Sequence, residues 1–280
     1  RALRRYPLRG LYLLHPHHYF SYSDKTEFEL WLLCSDLLSI EQRHQLQKKL
    51  DAITEWCAEN GLILNAQLIT EKALTNDTAL TDWQKEEFYT QGIVLAGCEP
   101  YWWLLTHEEQ TDHHLIVDEF KTQAKFKQYN LVDFGPAESI DKNAVFKKSF
   151  EACQQFLLTG HATLDLLYIA LLLEPGRSLP TLSHLLKQTI YRGEQAFTAL
   201  DIQALKLALI EIYATDANKQ IAREIVYIES QEALSIEVKH PPHPWRRECV
   251  KQLTSQWQWP ATQLQKLDTR RLNINNCQAW

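Results

Sequence analysis

Between residues 8 and 69 the hydrophobic pattern changes period twice. LRGLYLL (8–14) reads as a β-strand, and EFELWLLC (27–34) alternates apolar and polar residues with the period of two that a half-buried strand requires. Ser39-Ile-Glu-Gln42 then has the spacing of a capping box. It opens a helix whose apolar residues Leu46, Leu50, Ile53 and Trp56 recur at helical spacing. Gly61 is a helix stop, and LILNAQLI (62–69) returns to a strand. The order strand, loop, strand, long helix, strand commits this part of the chain to a mixed α/β layer.

WQKEEFYTQGIVLAGC (83–98) reads as a second amphipathic helix ending near Gly97. YWWLL (101–105) reads as a short strand, and HLIVDEF (114–120) fits a strand or a helix start. Beyond about residue 125 helical periodicity dominates, with helices expected at 143–158, 162–173, 180–191, 201–214, 218–232, 244–257 and 260–267. The Pro-rich EVKHPPHPW (237–245) breaks this series. The expected organisation is an α/β domain over 1–125 followed by a mostly helical domain over 126–280.

With 45% hydrophobic residues in 280, the chain can bury a substantial core. A formal net charge of −6 argues against nucleic acid as a partner. LDLLYIALLLE (164–174) is too short for a membrane span and carries Asp165. RALRRYPLRG is basic, but the following LYLLHPHHYF breaks too quickly into His and Pro for a signal peptide. The six cysteines (34, 57, 98, 153, 249 and 277) form no C-x-x-C pair, which points to reduced thiols and a cytoplasmic protein. The absence of methionine, even at position 1, reads as an excised fragment, or as a chain whose methionines are written in another form.

Four stretches, in order, resemble the amino-terminal half of class I adenylate cyclases, the bacterial family that makes cyclic AMP from ATP. The first is PLRGLYLLHP…TEFELWLLC with the helix SIEQRHQLQKKLDAITEWCAENGL after it. The others are EEFYTQGIVLAGCEPYWW (86–103), LVDFG (131–135) with the later LLLE (171–174), and PWRRECVKQLTSQWQWPATQLQKLDTRR (244–271). The resemblance implies a nucleotidyltransferase-like α/β domain. It also implies a Gly-Ser turn for the triphosphate and three carboxylates holding magnesium. It implies further that the family continues past the final NNCQAW.

Position by position, the resemblance puts the chemistry in question. The Gly-Ser turn falls on His15-Pro16, and proline has neither an amide hydrogen nor a free φ. The Asp-x-Asp pair falls on Glu27 and Glu29, whose extra methylene moves the oxygens outward by roughly 1 Å or more. Magnesium tolerates little such error. The third carboxylate falls on Ile63, with only the neutral Asn65 and Gln67 nearby. Thr90, Val94 and Cys98 stand where the family carries phosphate-contacting cations, and Asp165 and Ile169 meet family lysines. Packing residues of the family pattern persist, among them Trp31, Phe88, Tyr89, Leu95, Gly97, Trp102, Trp245, Trp257 and Trp259.

The expected reading is therefore a class I cyclase-like module whose catalysis has decayed. Glu27 and Glu29 are vestigial metal residues and His15-Pro16 a vestigial phosphate turn. The module would bind ATP or another nucleotide, or regulate an active cyclase or other protein partner. The alternatives are an active cyclase using magnesium on Glu27 and Glu29, and a purely structural interaction protein. His15, His17, His18, His113 and His114 lack the spacing of a metal motif. Asp133 is expected to orient the following helix. Trp245-Arg246-Arg247-Glu248 reads as a helix start with a packed Trp and an internal Arg–Glu pair.

Overall fold

The computed structural model describes residues 7–14, 27–75, 80–106, 112–126, 129–137, 140–159, 162–193 and 201–278. His15, Pro16, His17 and His18 lie outside the described residues. The chain divides into two compact units. The first comprises the described residues of 1–16, 23–144 and 180–193, and the second those of 145–179 and 194–280.

The first unit is mixed α/β. Strands β1 (Leu8–Leu14) and β2 (Phe28–Cys34) pair antiparallel, and β2 pairs in parallel with β3 (Leu64–Thr70). The parallel connection is α1 (Ile40–Glu59), which packs along β3. Its first turn is closed by the anticipated capping box, with the Ser39 side chain accepting from the Gln42 N–H and the Gln42 side chain from the Ser39 N–H. It ends at Asn60, and Gly61 takes the left-handed backbone (φ +78°) that a glycine adopts without strain. A one-turn helix, α2 (Glu71–Thr75), follows β3.

The second expected helix is shorter than its pattern suggested. It is α3 (Asp82–Gln91), and the chain then enters β4 (Gly92–Gly97), which pairs antiparallel with β1 and completes the sheet order β3-β2-β1-β4. Gly92 sets the corner: a Cβ there would lie 2.5 Å from the Phe88 carbonyl oxygen. YWWLL also departs from its expectation as a strand. Tyr101–Leu104 form one helical turn, α4, after the two-residue β5 (Glu99–Pro100). His113–Thr122 is a helix, α5, and Leu131–Val132 is β6, paired in parallel with β5.

Tyr12, Trp31, Phe88 and Phe134 form the centre of this unit, all at most 2% exposed. Phe88 stacks on Trp31 (centroids 5.2 Å apart) and on Phe134 (4.5 Å), while Tyr12 meets Phe88 edge-on at 5.2 Å. Such pairs contribute about 0.5–1.5 kcal/mol each beyond their burial. Residues 180–193 return as α8 (Leu182–Tyr191), which packs against α3.

Helix α6 (Lys142–Thr159) carries the chain onward, and the second unit is helical: α7 (Leu164–Leu173), α9 (Ile202–Tyr213), α10 (Asp216–Glu229), α11 (Pro244–Gln256) and α12 (Ala261–Gln278). Helix α9 packs on α7 and α10, and α10 on α12. Tyr227, Val250 and Leu267 are buried together, with Trp259 against them. Trp257 lies 4.9 Å from Trp259, so both tryptophans of the WQW stretch serve this packing. Among the described residues no helix is long and apolar enough to cross a membrane, and Cys34, Cys57, Cys98, Cys153 and Cys249 are unpaired thiols.

Candidate functional site

Glu27 stands just before β2 and Glu29 one pleat further on, so both point to the face that carries Trp31 and Leu33. Parallel pairing sets Asn65 opposite Glu29 and Gln67 opposite Trp31. The polar side chains form a ladder. Asn65 Nδ2 donates to Glu27 Oε2 at 3.3 Å, and Gln67 Nε2 to Glu29 Oε1 at 2.7 Å. The Trp31 indole Nε1 also donates to Glu29 Oε1, at 2.7 Å. Two donors thus occupy the two lone pairs of that oxygen. Ile63 offers no ligand, and its carbonyl takes the Phe28 N–H at 2.8 Å. Among the described residues no three His, Cys, Asp or Glu side chains gather into a group able to hold a metal ion.

The places where the resemblance leads one to look for phosphate-binding cations have other uses. Thr90 is buried and bonds back to the Glu86 carbonyl at 2.7 Å. Val94 packs against the aromatic core. Cys98 is fully buried, burial raises its thiol pKa, and its carbonyl accepts from the Tyr12 hydroxyl at 2.8 Å. In the second unit Asp165 is ion-paired with Lys206, which offsets its charge. Near them the buried Glu229 carboxyl is pushed up to about 8, by burial first and then by the Asp165 charge.

Asp133 keeps company with His113. His113 Nε2 lies 3.0 Å from Asp133 Oδ1, which also accepts the Gly135 N–H at 2.9 Å, and Lys121 approaches the other oxygen at 3.5 Å. Burial raises the Asp133 carboxyl, but these hydrogen bonds and the Lys121 charge outweigh it and hold it down at about 2. His113 is buried and its Nδ1 has no hydrogen-bond partner among the described residues, whereas His114 is exposed. The Trp-Arg-Arg-Glu expectation needs correction. Trp245 is half-exposed, and Arg247 pairs not with Glu248 but with Glu232, at 3.6 Å. Arg247 also donates to the carbonyls of Ala233 and Ile236.

A second polar constellation has no counterpart in the motifs. Glu86, on α3, is almost wholly buried and accepts both the N–H and the hydroxyl of Ser183 at the start of α8. Burial pushes its carboxyl up to about 7, against the opposing pull of those hydrogen bonds. Beside it, Lys187 donates to the Trp102 carbonyl and sits 3.5 Å from the centre of the Trp102 ring. Tyr89 stacks on the same indole at 4.2 Å and donates to the Gly135 carbonyl at 2.6 Å. A helix over 180–191 was legible; that a glutamate nearly a hundred residues earlier meets it was not.

A mixed α/β unit with a paired-carboxylate strand, followed by a helical unit, defines the class of protein to be compared. Residues 1–103 match the adenylate cyclase NT domain, and residues 174–278 match the second domain of class I adenylate cyclases. The adenylate cyclase of Proteus mirabilis is 25% identical over 94% of this chain and 32% of its own length. Those of Yersinia intermedia (24%) and Escherichia coli K12 (25%) align over the same share of this chain and 33% of theirs. The chain belongs to the class I adenylate cyclase family and spans about a third of the curated relatives it matches. No solved structure matches it.

Proposed function

We propose that this chain is a catalytically degenerate cyclase module that acts by binding a nucleotide or a protein partner, such as an active cyclase. Its first unit would be a nucleotidyltransferase-like frame. The observation carrying this reading is the ladder on β2 and β3. In a two-metal site, acidic oxygens face one another and are reconciled by cations. Here the side-chain amides of Asn65 and Gln67 and the Trp31 indole supply the positive ends of the dipoles. Neutral donors hold Glu29 Oε1 and one position on Glu27 Oε2, and among the described residues no third acid joins the pair, so these residues do not fit the family's metal site. Positioning is most of what a phosphoryl-transfer enzyme supplies. The aromatic core remains because its burial stabilises the fold whether or not ATP reacts.

The test is cyclic AMP formation from ATP by the purified chain, with magnesium and with manganese. The reading expects no product above a blank with either metal. Turnover that disappears in Glu27→Gln and Glu29→Gln would establish the opposite, an active cyclase built on those two residues.

A further inference from the structure

A cavity of about 580 Å³ opens at the other end of the sheet, outside the carboxyl ends of the parallel strands β2 and β3. In open α/β sheets this is where ligands are usually received. It lies about 20 Å along the strand from Glu29, at roughly 3.3 Å per residue. Arg9 and Glu71 line it together with Ser35, Asp36, Leu38 and Gln42. Its size is that of a small-molecule site.

Its charged groups are half used. Arg9 Nε donates to Glu71 Oε1 at 2.7 Å, and the pair is about one-quarter to one-third exposed. That one bond leaves the two terminal nitrogens of Arg9 and the second oxygen of Glu71 without a partner among the described residues. Asp36 is exposed on the turn after β2. The start of α1 takes no part, because its capping box already closes it. Among the described lining residues, one guanidinium and two carboxylates sum to a formal charge of −1, which disfavours a triphosphate or another polyanion. The complementary ligand has a carboxylate for the free fork of Arg9 and an ammonium for Asp36 and Glu71. Leu38 and Pro7 offer apolar contact to anything borne between or beside those groups.

We propose that this cavity binds a free α-amino acid, a small zwitterion, at a site separate from the cyclase ladder. The experiment is a thermal-shift screen of the purified chain against the common amino acids, followed by calorimetric titration of the best one. The same titration is run with its decarboxylated amine, its deaminated acid and ATP. One amino acid should bind, with the amine and the acid each at least about tenfold weaker, the loss expected when one charge-assisted contact goes. Arg9→Gln and Asp36→Asn should each weaken it about tenfold. Asp36 is on an exposed turn, so its variant keeps the fold even if Arg9→Gln does not. Binding by no amino acid, equal binding of the acid alone, or affinity unchanged in Asp36→Asn would overturn the proposal. So would ATP competing for the site. None of these results depends on whether cyclic AMP is made.

Discussion

Gln67 reaches diagonally across the parallel β2–β3 pair and donates to Glu29 Oε1 at 2.7 Å, on the oxygen that the Trp31 indole also uses. A neutral amide therefore stands beside the carboxylate where a third acid would make a cation necessary. Replacing Gln67 by Glu restores that need. The variant should lose about 0.2–1 kcal/mol in metal-free buffer through like-charge repulsion across the strands. Magnesium at millimolar levels should raise its melting temperature and leave that of the parent unchanged. Denaturant titration and thermal melts with and without the ion check this, and equal responses of the two proteins would sink it.

Glu86 makes the stability of the first unit fall with rising pH. Its folded carboxyl titrates at about 7 against an ordinary 4.5. Between those values the folded protein keeps a proton that the unfolded chain has released, so stability drops through that window and stays low above it. The loss is on the order of 3 kcal/mol at 1.36 kcal/mol per unit. Glu86→Gln keeps a carbonyl for the Ser183 N–H and removes the titration. Its stability between pH 5 and pH 8 should decline less than the parent's, the remaining fall coming from the raised Glu229 carboxyl, as read from urea midpoints.

Gly97 combines two reasons to be glycine. Its φ is +98°, and a Cβ would lie 2.2 Å from the Arg9 carbonyl oxygen, on the backbone of the paired strand β1. Gly97→Ala should cost about 3 kcal/mol or more, since strain and a backbone clash coincide. A loss of less than 1 kcal/mol in chemical denaturation would contradict the β1–β4 register.

Arg247 ties the segment after α10 to α11 through two carbonyls and Glu232, with both charged side chains at most 10% exposed. Arg247→Met fills similar space but strands Glu232 as a buried charge. The expected penalty is about 3–5 kcal/mol, and Glu232→Gln in the same chain should recover part of it. A double-mutant cycle by denaturation gives both numbers.

Much of the local architecture was legible. Ser39 and Gln42 announced α1, and the alternation in 27–34 announced β2, because capping and period act between near neighbours in the chain. The 83–98 stretch misled: its later residues 93–96 carry the apolar density of either element, and only the free edge of β1 recruits them as β4. The candidate acids were legible as Glu27 and Glu29, and Asn65 and Gln67 as their neighbours, but not that these amides and the Trp31 indole donate to them. Glu86 and Arg247 were missed or mispaired for the same reason, as their partners Ser183 and Glu232 come from other elements.

By itself the sequence determined most of the local elements, which faces are apolar, and which family the chain resembles, since these follow from spacing along one backbone. Only the tertiary structure decided what each carboxylate faces. Strand register and helix docking bring residues tens to a hundred positions apart within 3 Å, and at that distance a neutral amide in place of an acid changes what the site can hold.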